Sequence, residues 1–169
     1  MKKRVMLVSA VLLVLTATAA IAAVTASASG AAKVNVRTTS LGKILVNAQG
    51  RTLYLFAPDK HGKSTCYGSC ASYWPPLLAT GKPAAGAGVK ASLLGTTTRK
   101  DGKHQVTYNG HPLYTYVADS AAGKTSGQGL NLSGGLWWVV SPAGNAVKKT
   151  TSSSGGSGGS GGYGGGYGG

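Results

Sequence analysis

Residues 49–59 read Gln-Gly-Arg-Thr-Leu-Tyr-Leu-Phe-Ala-Pro-Asp, and residues 109–119 read Asn-Gly-His-Pro-Leu-Tyr-Thr-Tyr-Val-Ala-Asp. The two stretches lie 60 positions apart and place Gly, Leu, Tyr, a second aromatic residue and Asp identically. Such a repeat indicates one supersecondary unit that is used twice. The chain has only three acidic residues, all Asp, and two of them close these stretches. The repeat therefore predicts the architecture and makes its Asp the first residue to examine for a role.

The residues around each copy predict short β-strands joined by tight turns. Asn109-Gly110 between alternating strands is a strong hairpin signal, because both residues tolerate positive φ. The predicted strands are 34–37, 43–46 and 52–56 in the first copy, 96–99, 103–108 and 112–116 in the second, and a final hairpin of 136–140 and 146–147. We expect an all-β fold in which two pseudo-equivalent antiparallel meanders share one core as a small sandwich or barrel. A copy of about 55 residues is marginally stable alone, which favours a shared core.

The N-terminus has the features of an export signal. A basic start at residues 2–4 precedes an apolar run at 5–15, and Ala26-Ser27-Ala28 provides a small-x-small cleavage pattern. These features predict a signal peptide over residues 1–28, with a retained membrane anchor as the alternative. No Cys lies at the cleavage point, so we expect an exported protein that is extracellular or envelope-associated and not lipidated.

The remaining chain divides into a domain and a tail. Residues 152–169 contain only Gly, Ser and two Tyr, a composition that cannot bury a core and predicts disorder. Residues 31–151 are expected to form a single β domain. Its two repeats span about 34–80 and 89–148, and a Gly/Ala/Pro linker at 79–88 joins them.

The charge of the chain favours anionic partners. Removing residues 2–4 from the 17 Lys and Arg leaves 14, and the three Asp reduce the formal charge of the mature chain to +11. Such a charge attracts anionic cell-wall polymer or lipid head groups without defining a fold. No nucleic-acid recognition motif accompanies the cations, so no specific nucleic acid is expected, and a small-molecule ligand is unknown. A surface that is cationic only for solubility is the alternative.

The repeated motif supplies the candidate site residues. In each strand the Tyr and the second aromatic residue point to one face, which is typical of core packing. An Asp just beyond a strand commonly caps a turn by accepting backbone N–H bonds. The functional alternative is a pair of carboxylates brought together for acid–base chemistry or cation binding. The motif residues are Tyr54, Phe56 and Asp59 in the first copy and Tyr114, Tyr116 and Asp119 in the second; we assign no catalytic residue.

The two cysteines form a second candidate site. Cys66 and Cys70 in an exported chain predict a disulfide. The alternatives are a redox-active pair, free thiols, or a copper site that adds His61, because thiolate and imidazole suit Cu(I). A short helical turn is expected at 69–73 before the prolines that follow.

Three tryptophans and two histidines complete the inventory. Trp74 is expected to pack on the disulfide loop. Trp137 and Trp138 are adjacent in a strand and face opposite sides, so one is predicted to lie in the core and the other is a candidate for an exposed binding surface. His104 and His111 are interpreted as surface residues.

The motif residues, together with 66–76 and 127–144, resemble the secreted-repeat lipoprotein family of bacteria. The resemblance covers about 34–147 and implies export and a repeat architecture, without a reaction. The sequence thus predicts an exported, envelope-associated, non-enzymatic β module with no cofactor and an unknown ligand. An extracytoplasmic redox or copper-handling protein that uses the Cys-x3-Cys pair is the alternative.

Overall fold

A computed structural model describes residues 31–149. The signal peptide and the tail predicted above lie outside the described residues. The strands are β1 (Lys33–Thr39), β2 (Gly42–Asn47), β3 (Tyr54–Phe56), β4 (Ala84–Ala85), β5 (Leu94–Thr98), β6 (His104–Tyr108), β7 (His111–Pro112), β8 (Asn131–Leu132) and β9 (Gly135–Val139). A five-residue helix, α1 (Ser69–Tyr73), and a 3₁₀ turn at Ala91–Leu93 complete the elements.

The strands form three small sheets with the orders β2-β1-β4, β3-β9-β8 and β5-β6-β7. The all-β prediction is confirmed, and over residues 31–149 the sheets do not close into a barrel. β4 pairs in parallel with the start of β1, so the predicted linker contributes a short strand that its Ala-rich sequence did not indicate. No helix among these residues is long and apolar enough to cross a membrane.

Each meander turns through residues suited to the left-handed backbone. Asn109 and Gly110 have φ values of 49° and 75°, which are required at the two central positions of a type I′ hairpin. In the first copy, Asn47 Oδ1 accepts hydrogen bonds from the backbone N–H groups of Gln49 and Arg51 at 3.0 and 2.9 Å. These turns precede Tyr54 in β3 and Tyr114 just beyond β7, and the two tyrosines pair with each other in an antiparallel bridge.

The last strand of the second repeat pairs with a strand of the first repeat. β9 pairs with β3 in antiparallel register, with Tyr54 opposite Val139. Beyond β9, Leu45 N donates to Val140 O at 2.8 Å, and Val140 N donates to Leu53 O at 3.1 Å. Val140 therefore bridges two strands of the first repeat.

A segment of the first repeat pairs with the second repeat in the equivalent way. Val106 N donates to Leu77 O at 2.8 Å, and Leu77 N donates to Leu113 O at 2.9 Å. The segment that follows Trp74 thus lies between two strands of the second repeat, as the segment that follows Trp137 lies in the first. The two repeats are interlocked rather than merely packed face to face.

Buried side chains form two clusters on the two faces of these strands. Alternation along 53–56 sends Tyr54 and Phe56 into one cluster and Leu53 and Leu55 into the other. The first cluster contains most of the aromatic residues and the disulfide loop. Since both faces of β3 are covered, the motif strand lies at the centre of the domain.

Candidate functional site

The repeated tyrosines and acids meet in an exchanged arrangement. Tyr54 OH donates to Asp119 Oδ2 at 2.7 Å, and Tyr114 OH donates to Asp59 Oδ2 at 2.7 Å. The two tyrosines are also paired through their backbones, with N···O distances of 2.9 and 3.0 Å. Each tyrosine therefore binds the acid of the other repeat, and the two motifs together form one site.

The second oxygen of each carboxylate holds a loop. Asp59 Oδ1 accepts hydrogen bonds from Thr65 N and Thr65 Oγ1, both at 2.8 Å. Asp119 Oδ1 accepts a hydrogen bond from Ser126 N at 2.8 Å. Each Asp thus joins the loop that follows it to the strand of the other repeat.

The two halves of the site differ in exposure and in the second partner of the phenol. Asp119 is fully buried and Asp59 is partly exposed. Burial raises the pKa of Asp119, while the hydrogen bonds from Tyr54 and Ser126 oppose that rise. Tyr54 also accepts a hydrogen bond from Gly127 N at 3.2 Å, whereas the Tyr114 hydroxyl lies 2.8 Å from Ser64 Oγ.

Both phenols are held in the neutral form. Tyr54 and Tyr114 are fully buried, and burial raises the pKa of each well above its ordinary value, with the partner carboxylate adding to the rise. A phenol that keeps its proton donates a hydrogen bond and does not act as a base. The geometry is therefore that of a pair of neutral donors serving two carboxylate acceptors.

A buried arginine adjoins the second half of the site. Arg99 is only 4% exposed, and its guanidinium donates to Ser64 Oγ at 2.9 Å, Gln105 Oε1 at 2.6 Å and the Cys66 carbonyl at 2.8 Å. It also stacks over the Tyr67 ring at 4.4 Å. Arg99 thus ties the disulfide loop to the second repeat, and Ser64 links it to Tyr114.

A column of four stacked aromatic rings runs beside the tyrosines. Trp74 and Trp137 stack with centroids 3.9 Å apart and planes 1° apart. Phe56 stacks on Trp137 and Tyr116 stacks on Trp74, each at 4.1 Å. Each motif aromatic residue therefore packs on the tryptophan of the other repeat, and the exchange seen at the acids extends through the core.

A sequence family described as a secreted repeat of unknown function matches residues 35–78 and 95–141. The chain belongs to this family. The two matched segments of the secreted repeat are the two units that the structure interlocks, and each contains one Tyr, one Asp and one Trp of the site. Searches of curated proteins and of solved structures find no match.

The cysteines of this secreted repeat protein are joined in a Cys66–Cys70 disulfide. A disulfide offers no thiolate to Cu(I), so the copper alternative lacks its sulfur ligands in this structure. His61 lines a cavity of about 510 Å³ with His111 and Asp59, and neither cysteine is among its lining residues. Within residues 31–149, no three His, Cys, Asp or Glu side chains gather closely enough to hold a metal ion.

The remaining candidates have ordinary surroundings. Trp137 is fully buried, while Trp138 is partly buried against the second core cluster. His104 is exposed, and His111 is partly buried at the tip of a hairpin.

Sequence reasoning missed the stacked tryptophans and Arg99. The equivalence of Trp74 and Trp137 has a sequence signal: each stands three residues before the apolar residue that enters the other repeat. No comparable signal marks Arg99, because an Arg at the end of a predicted strand normally lies in solvent.

Proposed function

We propose that this secreted repeat is a non-enzymatic module that binds anionic polymer of the cell envelope through a cationic surface. The observation that carries the proposal is the position of the acidic residues in the protein. Asp119 is buried, and Asp59 is partly buried and hydrogen-bonded to Tyr114 and Thr65. Two of the three acidic residues therefore form hydrogen bonds within the domain, and Asp101 is the exposed one.

The basic residues have the opposite distribution. Of the 14 Lys and Arg that follow residue 30, Arg99 is the buried one, and the others are exposed or partly exposed. The outer surface therefore carries almost all of the positive charge and little of the negative charge. A field of one sign over a whole surface favours long anionic polymers, which contact many cations at once.

The state of the motif supports a binding module rather than an enzyme. Both carboxylates have hydrogen-bond partners on each oxygen, and both phenols are neutral and buried. A general base needs a reactive lone pair within reach of a substrate. The hydrogen bonds of these groups instead hold the two repeats together.

The proposal is tested with the mature chain and purified cell-wall polymer. Because surface charges are screened over about 10 Å at 0.1 M salt, affinity should fall at least about tenfold from ~0.05 M to ~0.5 M salt. An uncharged polysaccharide of similar length is the matched control and should not bind at either salt concentration. Binding that is equal for the two polymers, or unchanged by salt, would show that charge does not drive the interaction.

A set of charge variants adds a second test. Lys60, Lys63, Lys100 and Lys103 are exposed and lie on the two loops that Arg99 joins. Replacing all four with Gln lowers the charge by four without touching a core contact. The variant should bind the anionic polymer more weakly and retain the melting temperature of the parent chain.

A further inference from the structure

Two tight turns of the same backbone form lie close together, one from each repeat. His61 and Gly62 have φ values of 50° and 70°, which match the 49° and 75° of Asn109 and Gly110. A side chain added at Gly62 would begin 3.4 Å from the carbonyl oxygen of Gly110. The two repeats therefore meet at these turns as well as at the motif.

His61 is not the residue that its turn favours. Histidine tolerates the left-handed backbone, but Asn or Gly is the usual choice at the first central position of such a turn. Asn109 fills this position in the other turn, whereas the first turn places an imidazole there. The backbone does not account for His61, so its surroundings are the feature to examine.

A cavity of about 510 Å³ opens between the two turns. His61 belongs to the first turn and is exposed, and His111 directly follows the second turn and is half-buried. The buried Leu55 and Phe56 contribute apolar lining. The titratable and charged residues of the lining are Asp59, Lys60, His61 and His111.

The one carboxylate of the lining already has its hydrogen-bond partners. Asp59 Oδ2 accepts the Tyr114 hydroxyl at 2.7 Å, and Oδ1 accepts both donors of Thr65 at 2.8 Å. Its charge still balances that of Lys60, so the lining is formally neutral while both histidines are neutral and reaches +2 when both are protonated. Lys63, which pairs with Lys60 across the turn, adds positive charge outside the lining.

The two histidines make the charge of this cavity respond to pH. Histidine is the side chain that changes its charge between about pH 5 and pH 8. The cavity is about 10 Å across, and the Debye length at 0.1 M salt is also about 10 Å, so the charges of its lining act together on a ligand. Anion affinity in the cavity should therefore increase as pH falls.

The arrangement suits a phosphate group better than a metal ion or a carboxylate. The histidines and Asp59 do not gather closely enough to hold a metal. They and Lys60 instead place three cationic groups along the lining. A phosphate group presents several acceptor oxygens around one centre, whereas a carboxylate presents two in one plane. The phosphate group can therefore interact with more of these cations at once.

We propose that this cavity binds the phosphate group of an anionic polymer, and binds it more tightly as His61 and His111 become protonated. The inference rests on the proposed polymer binding and names the class of polymer, a phosphodiester chain. The scattered surface cations supply the general attraction, and the cavity supplies the response to pH.

The first test uses dimethyl phosphate, whose single negative charge is constant between about pH 5 and pH 8. Nuclear magnetic resonance follows the ring protons of the three histidines in the mature chain. The signals of His61 and His111 should move on titration, and that of His104 should not. Since each added charge at ~5 Å changes affinity roughly fourfold even in bulk water, the Kd should fall at least about fivefold from about pH 8 to about pH 5.5. Trimethyl phosphate, the uncharged equivalent, should not bind.

The second test uses poly(glycerol phosphate) at constant salt. Its affinity for the mature chain should rise at least about tenfold from about pH 8 to about pH 5.5, because one chain places several phosphates near the cavity. Polygalacturonate of similar length carries carboxylates in place of phosphates and should show a rise of less than about threefold. Inorganic phosphate at ~10 mM should compete with the polymer for the cavity.

Histidine variants locate the response. His61→Asn combined with His111→Gln removes both imidazoles, and Asn suits the left-handed backbone of the first turn. This double variant should reduce the rise to less than about twofold. His111→Gln alone leaves the first turn unchanged and should remove about half of the rise on a logarithmic scale. His104→Gln is the control, because His104 is exposed and does not line the cavity, and it should keep the full rise.

The outcomes separate this inference from the proposed function. Polymer binding that depends on salt but not on pH would overturn the inference and leave the proposed function standing. Dimethyl phosphate binding at the two histidines without any polymer binding would support the site, with free phosphate as its ligand, and reject the polymer. A pH response that survives in the double variant, or that is equal for polygalacturonate, would overturn the assignment to this cavity or to phosphate.

Discussion

Removing the hydroxyl of one motif tyrosine should cost far more than removing the other. Tyr54→Phe deletes the donor to Asp119 Oδ2 and the acceptor for Gly127 N. Asp119 is fully buried, so water cannot replace the lost donor. A hydrogen bond to a charged group contributes about 1.5–3 kcal/mol, and an unpaired buried N–H adds about 1 kcal/mol. We expect a total loss of ~2.5–4 kcal/mol in the free energy of unfolding.

The equivalent change in the second repeat should lower the free energy of unfolding by less. Tyr114→Phe deletes the donor to Asp59, which is partly exposed and can bind water instead. Ser64 Oγ, which also contacts the phenol, keeps Arg99 as a partner. The expected loss is therefore ~0.5–1.5 kcal/mol.

Thermal unfolding followed by circular dichroism separates the two variants. For about 120 folded residues, 1 kcal/mol corresponds to a Tm shift of ~4 °C. Tyr54→Phe should lower Tm by ~10–16 °C and Tyr114→Phe by ~2–6 °C. Tyr73→Phe is the control, because the Tyr73 side chain is exposed, and it should shift Tm by less than ~2 °C. Equal shifts for the two motif variants, or the reverse order, would refute the assignment of cost to the burial of Asp119.

The pH dependence of the Tyr54→Phe deficit gives a second check. Burial raises the pKa of Asp119, so the folded state holds its proton to higher pH than the unfolded state does. Stability from this group is therefore lost as pH rises through that window and regained as pH falls. Since a protonated Asp119 depends less on its donor, the deficit should be smaller near pH 4 than near pH 7.

Three further predictions follow from the interior. Above about pH 10, Tyr54 and Tyr114 ionise in the unfolded chain, while burial keeps both protonated in the folded chain. The free energy of unfolding measured in urea melts should therefore fall by ~1.4 kcal/mol per pH unit for each tyrosine. Each Tyr→Phe variant should remove the contribution of its own tyrosine to this slope. Arg99→Met removes three buried hydrogen bonds and takes the donor from Gln105 Oε1; it should cost at least ~3 kcal/mol in a urea melt, whereas the exposed Arg37→Met should cost less than ~0.5 kcal/mol. Reducing the disulfide should cost about 2 kcal/mol, because the closed loop is short, and melts with and without reductant measure it.

Local patterns in the sequence predicted most of the strands and turns, although not the short strands β4 and β8. Alternation along 53–56 predicted which residues share a face, and Asn109-Gly110 predicted a hairpin. The prolines after Trp74 predicted the end of α1. Each of these features depends on a few neighbouring residues, whose backbone preferences are known.

The exchange of partners could not be read from the same patterns. Tyr54 precedes Asp59 as Tyr114 precedes Asp119, so pairing within a repeat and pairing between repeats involve identical residue types. The outcome depends on the path of the chain after the motif, where the segments behind Trp74 and Trp137 enter opposite repeats. That path is a tertiary property, and no local propensity encodes it.

The interlocked motif also carries an evolutionary consequence. A single repeat has a tyrosine without its acid and an acid without its tyrosine, so one gene unit on its own would leave both groups unpaired. Two separate copies related by a twofold axis would satisfy every one of these contacts, because each copy would offer the same surface to the other. The tandem chain therefore has the pairing pattern of a twofold homodimer within one polypeptide. A chain cut to one repeat would leave its tyrosine and its acid unpaired unless two such chains associated.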